Sequence, residues 1–200
     1  QLGFTRLVEI VDARKTPKKP VMEIYLKGEA RKSEDEAKAV AALRHPNIVQ
    51  IHDFGHEADR YYMVMEFVEG RPLAEVVQPG GLPAAIAVGY AIQITDALAH
   101  AHRHGVVHRD LKSANVMITP AGSVKLLDFG LARRLAPAGG EDSAVSGPSR
   151  TGAAIAGTLG YMAPEVLRGL PADTRSDLWA LGVLLYEMLA GELPFTGQTP

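Results

Sequence analysis

Two short segments concentrate residue types that can bind a metal ion and a phosphate group. Segment His108–Asn115 carries Asp110, Lys112 and Asn115 close together, and a second segment begins at Asp128. Carboxylate and amide oxygens are hard ligands of the kind that Mg²⁺ prefers, and a lysine ammonium is a compact charge that binds phosphate. The pattern indicates phosphate chemistry assisted by a divalent cation. The alternative is a set of solvated charges on surface loops.

Three strings in this part of the chain, read together, resemble the signature sequences of protein kinases. They are His-Arg-Asp-Leu-Lys-Ser-Ala-Asn at His108–Asn115, Asp-Phe-Gly at Asp128–Gly130 and Ala-Pro-Glu at Ala163–Glu165. Each tripeptide alone is weak evidence, but three in this order and at this spacing are specific. An Asp-x-Trp-x-x-Gly string at Asp177–Gly182 adds a fourth match. The chain resembles a bacterial-type serine/threonine protein kinase domain over nearly its whole length.

The resemblance implies a role for each polar residue of these strings. Asp110 corresponds to the base that accepts the proton of the substrate hydroxyl, and Lys112 corresponds to the lysine that steadies the transferring phosphate. Asn115 and Asp128 correspond to the two protein ligands of Mg²⁺. The implied activity is the transfer of the γ-phosphate of ATP to a serine or threonine hydroxyl of a protein, with ATP and Mg²⁺ bound between two lobes.

An earlier part of the chain is similar to the adenine-binding part of a kinase. Met63–Val68 resembles the last strand of the small lobe and the hinge, which makes Met65 the gatekeeper. The resemblance implies that the backbone of Glu66 and Val68 bonds adenine and that Met117 packs beneath it. It also implies an apolar spine between the lobes, anchored at its base by Asp177 and made of Val40, Ile51, His108 and Phe129.

The lysine that binds the α- and β-phosphates has two alternative positions. One alignment of its strand places Ile24 there, and the other places Lys27, which lies only a short way before Glu36, the match for the helix-C glutamate. We favour Lys27. The glycine-rich loop is degenerate, since Thr5 and Val8 stand where glycine lets backbone N–H groups approach phosphate. With Ile24 at the lysine position, the resemblance implies a pseudokinase that acts as a nucleotide-binding or scaffolding module.

Segment Gly157–Glu165 resembles the part of a kinase that cradles the residue after the phosphoacceptor. Its Thr158 is the residue type found at this position in serine/threonine kinases. The segment also favours a protein substrate over another alternative, a phosphotransferase that acts on a small molecule. A phosphate group in the loop before this segment would pair with Arg109 and order the loop. The candidate phosphorylation sites are Ser143, Ser146, Ser149 and Thr151.

Hydrophobic periodicity and the resemblance together predict an α+β, bilobal kinase-like fold that is incomplete. Residues 1–68 are the β-rich N-lobe with one helix, and residues 69–200 are a mainly α-helical C-lobe whose later helices are missing. Apolar runs and turn residues predict strands at 48–54 and 61–68, a turn at 55–60, a hairpin within 106–128, and helices at 83–104 and 175–190. The expected buried stripe of the first helix is Ile86, Tyr90, Ile94, Leu98 and Ala101.

Composition argues against several other classes of protein. The absence of cysteine rules out disulfides, thiolate zinc sites and cysteine nucleophiles, and it fits a reducing compartment. A net charge of −2 gives no general attraction to nucleic acid or to an anionic membrane. The most apolar stretch, 178–190, is too short for a membrane helix. We therefore expect a cytoplasmic protein without a membrane segment in this chain. We also expect His100, His102 and His104 to lie at a solvated helix end and not to form a zinc site.

Overall fold

The computed structural model describes residues 21–26, 39–57, 60–129 and 159–195. Two small antiparallel sheets precede and flank a helical part, as the α+β prediction requires. Within these ranges no helix is long and apolar enough to cross a membrane. Residues 39–42 are helical, and the other elements are β1 Val21–Leu26, β2 Ile51–Glu57, β3 Arg60–Glu66, β4 Arg71–Pro72, α1 Leu73–Val76, α2 Ala84–Arg103, a 3₁₀ turn Ser113–Asn115, β5 Val116–Ile118, β6 Val124–Leu126, α3 Pro164–Leu167 and α4 Thr174–Ala190.

The first sheet has the strand order β1-β3-β2, with both pairs antiparallel. Strands β2 and β3 pair as far as Glu57 opposite Arg60, and Gly55 pairs with Tyr62. The turn predicted at 55–60 is therefore too long. The reason is physical: continuing the ladder satisfies backbone N–H and C=O groups that a six-residue turn would leave to water, and this outweighs the turn preference of Gly55.

The second sheet, β4-β5-β6, is tied to the segment that leads into β2. The amide of Leu126 donates to Asn47 O at 2.8 Å, and the amide of Val49 donates to Leu126 O at 2.9 Å. The side-chain amide of Asn47 adds bonds to Val124 O at 2.8 Å and to Gln93 Oε1 at 3.0 Å. Main-chain and side-chain bonds thus attach the second sheet to the segment that leads into the first sheet. This attachment fixes the position of the first sheet relative to the catalytic loop.

Helices α2 and α4 pack against each other and form the centre of the helical part. Ile94, Leu98 and Ala101 of α2 are buried, as predicted, but Ile86 is 46% exposed. A helix turns about 100° per residue, so Ala87 lies about 20° from Ile94 around the helix axis whereas Ile86 lies about 80° from it. The buried face therefore includes Ala87. The pattern of large apolar residues did not predict this, because the side chain of alanine is small.

Helix α4 begins and ends at residues suited to those positions. Asp173 caps its N-terminus by accepting the amide of Arg175. The Asp173 amide in turn donates to Ser176 Oγ, which makes a reciprocal capping box. Gly191 ends the helix with φ of 79°, close to the loop before α2: a Cβ there would lie 2.5 Å from Gln78 O. Glycine is therefore required where α4 meets that loop.

Candidate active site

The loop after α2 brings three of the predicted catalytic residues to one point. Lys112 Nζ donates to Asp110 Oδ2 at 2.7 Å. Asn115 Nδ2 donates to the Asp110 carbonyl oxygen at 2.7 Å and to Asp110 Oδ2 at 3.1 Å. The 3₁₀ turn Ser113–Asn115 makes this possible, because it folds the chain back so that Asn115 faces Asp110. One carboxylate oxygen of Asp110, Oδ2, therefore receives both side-chain bonds.

Helix α4 holds this loop from below through the buried side chain of Asp177. Its Oδ2 accepts the amide of His108 and its Oδ1 accepts the amide of Arg109, each at 2.8 Å. Arg109 has a φ of 66°, a conformation that costs a non-glycine residue about 1–2 kcal/mol. The two amide bonds to a carboxylate offset that cost, so Asp177 maintains the turn that presents Asp110.

A third bond to Asp177 comes from a histidine that sequence reasoning missed. His102 Nε2 lies 2.7 Å from Asp177 Oδ2, and the His102 side chain is only 16% exposed. The expectation of a solvated helix end was therefore wrong for His102. The nearby His100 ring packs 4.5 Å from that of His104 and 5.1 Å from that of His45. In the part of the chain that the structure describes, histidine, cysteine, aspartate and glutamate side chains form no group of three that could hold a metal ion.

The spine residues are buried, and the rings of two of them lie close together at a tilt of 39°. The rings of His108 and Phe129 lie 4.7 Å apart, and Val40 and Ile51 are each 5% exposed. Burial lowers the pKa of His108, so its imidazole is neutral at physiological pH. A neutral ring packs like an apolar side chain, which is what this position between the sheet and the catalytic loop requires.

Asp128 has the chemistry of a cation ligand. Burial raises the pKa of Asp128, and the neighbouring charge of Asp110 raises it further. A buried carboxylate is costly as an isolated charge, and a bound cation relieves that cost. The side-chain nitrogen of Asn115 is engaged with Asp110, so the side-chain oxygen Oδ1 remains as a second hard ligand. The main-chain carbonyl oxygen of Asn115 accepts the amide of Leu127 at 2.9 Å. These residues fit a divalent metal such as Mg²⁺.

The predicted adenine site lies where the two sheets meet. Met65 is 1% exposed, Val68 is half-buried and packs against the core, and Met117 lies in β5 opposite Lys125 of β6. Lys125 Nζ makes an ion pair with Glu66 Oε1 at the end of β3. Sequence reasoning missed this pair, since the two residues are far apart in the chain and neither belongs to a recognised string.

Strand β1 bears on the two alternatives for the phosphate-binding lysine. Its backbone register sets Met22 opposite Met65 and Ile24 opposite Met63. Ile24 therefore lies inside the strand, two residues from the position opposite the gatekeeper Met65. Lys27 lies outside the described residues, so the assignment of the lysine position stays a prediction.

The segment after the activation loop packs beneath the catalytic loop. Tyr161 and Ala163 are buried, and a cavity of ≈ 30 Å³ separates Tyr161–Ala163 from Arg109–Leu111. Glu165 accepts a hydrogen bond from Ser176 Oγ at 2.8 Å, which ties this segment to the start of α4. The substrate-side segment (residues 159–163) is thus attached to the same helix as the catalytic loop.

Comparison with known proteins identifies the family. Residues 8–200 match the family described as Protein kinase domain. The chain belongs to this family. A solved structure titled "Crystal structure of Rad53 1-466 in complex with AMP-PNP" resembles this kinase domain with a TM-score of 0.66 and 34% sequence identity, over 90% of this chain and 43% of that one. The kinase fold predicted from the sequence is confirmed.

Bacterial relatives share about two fifths of the residues of this kinase domain. Serine/threonine-protein kinase PrkC of Bacillus subtilis is 40% identical over 171 residues, which cover 84% of this chain and 25% of that protein. Serine/threonine-protein kinase pkn2 of Myxococcus xanthus is 42% identical over 176 residues, covering 86% and 20%. The kinase domain thus spans about a quarter or less of the length of these relatives, and the predicted bacterial type is confirmed.

Several predicted site residues of the kinase domain lie outside the described residues. They belong to the degenerate glycine-rich region, the phosphate-binding lysine, helix C and the loop before residue 159. The structure therefore says nothing of Thr5, Val8, Lys27, Glu36, Ser143, Ser146, Ser149, Thr151 and Thr158.

Proposed function

We propose that this kinase domain transfers the γ-phosphate of ATP to a serine or threonine hydroxyl of a protein. The observation that carries the proposal is the bonding of Asp110, whose Oδ2 receives both Lys112 and Asn115. Relatives named serine/threonine-protein kinases support the substrate class. The complex of Rad53 with AMP-PNP, an analogue of ATP, supports ATP as the phosphate donor.

Asp110 acts as the base in this proposal. Because Lys112 and Asn115 both bond Oδ2, the carboxylate is held in one orientation with Oδ1 toward the substrate hydroxyl. Oδ1 accepts the hydroxyl proton as the new phosphorus–oxygen bond forms and the bond to the leaving ADP breaks. Lys112 stays beside the same point, where its ammonium stabilises negative charge that accumulates on the transferring phosphate.

Asn115 and Asp128 would hold Mg²⁺ through their side-chain oxygens. When bound, the ion supplies positive charge that neutralises the phosphates. The pKa of Asp128 is raised by burial, so a proton competes with the metal for this carboxylate more strongly than it would at a solvated aspartate. A bound cation would therefore stabilise the Asp128 carboxylate, and the affinity of Asp128 for the cation would depend on pH.

The nucleotide would lie against Met65 and Met117, with adenine bonded by the backbone of Glu66 and Val68. Apolar packing and backbone bonds suit a planar heterocycle. Lys27, paired with Glu36, would hold the α- and β-phosphates. If Ile24 occupies the position of the phosphate-binding lysine instead, ATP binding is weaker, and the domain would act as a scaffold that does not transfer phosphate.

The test measures phosphate transfer from labelled ATP with Mg²⁺ in the complete protein. We expect Asp110→Asn to lower the rate by about 10²- to 10⁴-fold, since it removes the base. Glu192→Gln, a neutralised carboxylate on the exposed surface, is the matched control and should leave the rate unchanged. Phosphoamino-acid analysis should find phosphoserine or phosphothreonine. Equal activity of Asp110→Asn and the control would contradict the role of Asp110, and a wild-type protein that binds ATP without transfer would indicate a scaffold.

The same incubation tests the proposed activation by phosphate. A phosphate before residue 159 would find Arg109 next to Asp110, and a charge-assisted pair there would order the loop. Mass spectrometry should find phosphate on at least one of four residues, and its absence from all of them in active protein would contradict the proposal: Ser143, Ser146, Ser149 and Thr151.

A further inference from the structure

Three hydrogen-bonded side chains, two of them buried and the third, that of Glu187, partly exposed, join the catalytic loop to the substrate-side segment. Ser113 Oγ donates to Glu187 Oε1 at 3.0 Å and lies 2.9 Å from the hydroxyl oxygen of Tyr161. The Tyr161 hydroxyl donates to the other oxygen, Glu187 Oε2, at 2.5 Å. The three residues come from the 3₁₀ turn, the substrate-side segment and α4, so the tertiary fold alone brings them together.

Water has little access to this group. Ser113 and Tyr161 are both buried, at 4% and 7% exposure. Burial, together with the hydrogen bond to Glu187, raises the pKa of Tyr161, so its hydroxyl keeps its proton and stays a donor at physiological pH. Hydrogen bonds to a carboxylate in a site with little water are stronger than those between neutral groups. The group therefore fixes the distance between the 3₁₀ turn and the substrate-side segment.

Glu187 and Asp177 hold the catalytic loop on the two sides of Asp110. Asp177, in the first turn of α4, binds the amides that precede Asp110, and Glu187, in the last turn, binds Ser113 after it. A helix rises about 1.5 Å per residue, so these anchors lie about 15 Å apart on one stiff element. Ser113 directly follows Lys112, and its position therefore sets where the Lys112 side chain begins.

We propose that Ser113 is a positioning residue for phosphate transfer, which relays the position of the substrate-side segment to Lys112 and Asn115 through Tyr161 and Glu187. This inference rests on the proposed function. The side chain of Ser113 bonds Tyr161 and Glu187, so its effect on transfer would be indirect. When the substrate-side segment is in place, Tyr161 completes the group and the 3₁₀ turn is held. When the segment moves away, the turn loses one of its two neighbours and Lys112 is less well placed.

The kinetic test compares Ser113→Ala with Ser113→Thr in the complete protein. We expect Ser113→Ala to lower kcat about ten-fold while the KM for ATP stays within about two-fold, because the residues proposed to contact adenine are untouched. Ser113→Thr keeps the hydroxyl and should recover most of the lost kcat. The matched control is Ser123→Ala, which removes a hydroxyl from an exposed turn and should leave kcat unchanged.

A double variant tests the route through tyrosine. If Ser113 and Tyr161 act through one group, Tyr161→Phe added to Ser113→Ala should lower kcat no further than the more severe single variant. Multiplicative losses in the double variant would overturn the proposal. So would a Ser113→Ala protein with wild-type kcat, or a Ser113→Thr protein no better than Ser113→Ala.

Hydrogen exchange provides a readout that does not depend on turnover. In Ser113→Ala we expect faster amide exchange both at 111–115 and at 161–163, with α2 unchanged. Faster exchange confined to 111–115 would mean that Ser113 does not communicate with the substrate-side segment, and the proposal would fail. A wild-type protein without transfer activity would refute the proposed function, whereas the exchange pattern would still decide the role of Ser113.

Discussion

The catalytic loop and the hinge are held in different ways. Side-chain hydrogen bonds from α4 fix the catalytic loop, chiefly through Asp177 and Glu187. Backbone pairing between strands and the burial of Met65 fix the hinge, with the ion pair of Lys125 and Glu66 as a side-chain link. The two regions should therefore respond differently to substitution.

This difference explains why the catalytic loop could be interpreted from the sequence, whereas the hinge and its sheet could be interpreted only in part. A loop held by side chains needs particular residue types at particular positions, and these appear as recognisable strings. A sheet held by its backbone accepts many apolar residues. The alternatives Ile24 and Lys27 arise in that second region, where the residue types constrain the alignment least.

The largest expected effect is on the catalytic loop, which is held by hydrogen bonds from side chains of α4. Asp177→Ala leaves the buried amides of His108 and Arg109 without their acceptor, which costs about 1–3 kcal/mol for each such group. We expect a lower free energy of unfolding by about 2–6 kcal/mol and a loss of phosphate transfer of at least about 100-fold. Urea denaturation and steady-state kinetics measure the two effects.

Asp96→Ala is the matched control for this comparison. Asp96 also bonds a histidine Nε2, that of His45 at 3.1 Å, but its side chain is 65% exposed. Exposed ion pairs contribute about 0–1 kcal/mol, so both stability and rate should stay close to wild type. Similar losses in the two variants would mean that the burial of Asp177 does not account for the size of its effect.

A second expected effect concerns pH and the aspartate of the cation site. Burial holds the folded-state pKa of Asp128 above its unfolded value of 3.8, so the folded protein binds this proton more tightly. The contribution of Asp128 to stability therefore falls as pH rises from 3.8 through the raised pKa. Asp128→Asn should accordingly raise the Tm of the metal-free protein at neutral pH, and the gain should shrink on acidification.

Asp173 gives a control of opposite sign for this pH experiment. The side-chain hydrogen bond from Arg175 lowers the pKa of Asp173, so its contribution is present above the unfolded pKa and is lost as pH falls through the folded one. Asp173→Asn should lower the Tm slightly at neutral pH and have less effect in acid. Equal pH dependence of the two variants would contradict the assignment of the raised pKa to Asp128.

The smallest expected effect is on the hinge side. Lys125→Met removes the ion pair with Glu66, which is partly exposed and worth about 1 kcal/mol or less. We expect the KM for ATP to rise about two- to three-fold with kcat unchanged. Exchanging the charges, Glu66→Lys with Lys125→Glu, should restore the KM. A ten-fold loss of kcat in Lys125→Met would mean that the hinge depends on side-chain bonds as much as the catalytic loop does.

The sequence predicted the residues of the cleft better than their supports. Asp110, Lys112 and Asn115 meet as expected, because short-range strings specify them. The bonds of His102 and Lys125 join residues that are distant in the chain, and a single sequence carries no record of such proximity. The exposure of Ile86 and the extent of β2 were missed for a related reason: packing and strand pairing decide them, and local preference does not.

The unusual backbone of Arg109 and Asp128 has a consequence for laboratory evolution. In the described part of the chain these are the non-glycine residues with positive φ, at 66° and 48°. Glycine or asparagine adopts such angles at lower cost. A screen that rewards heat resistance alone should therefore accumulate replacements at these two positions, and the survivors would be robust proteins that no longer phosphorylate.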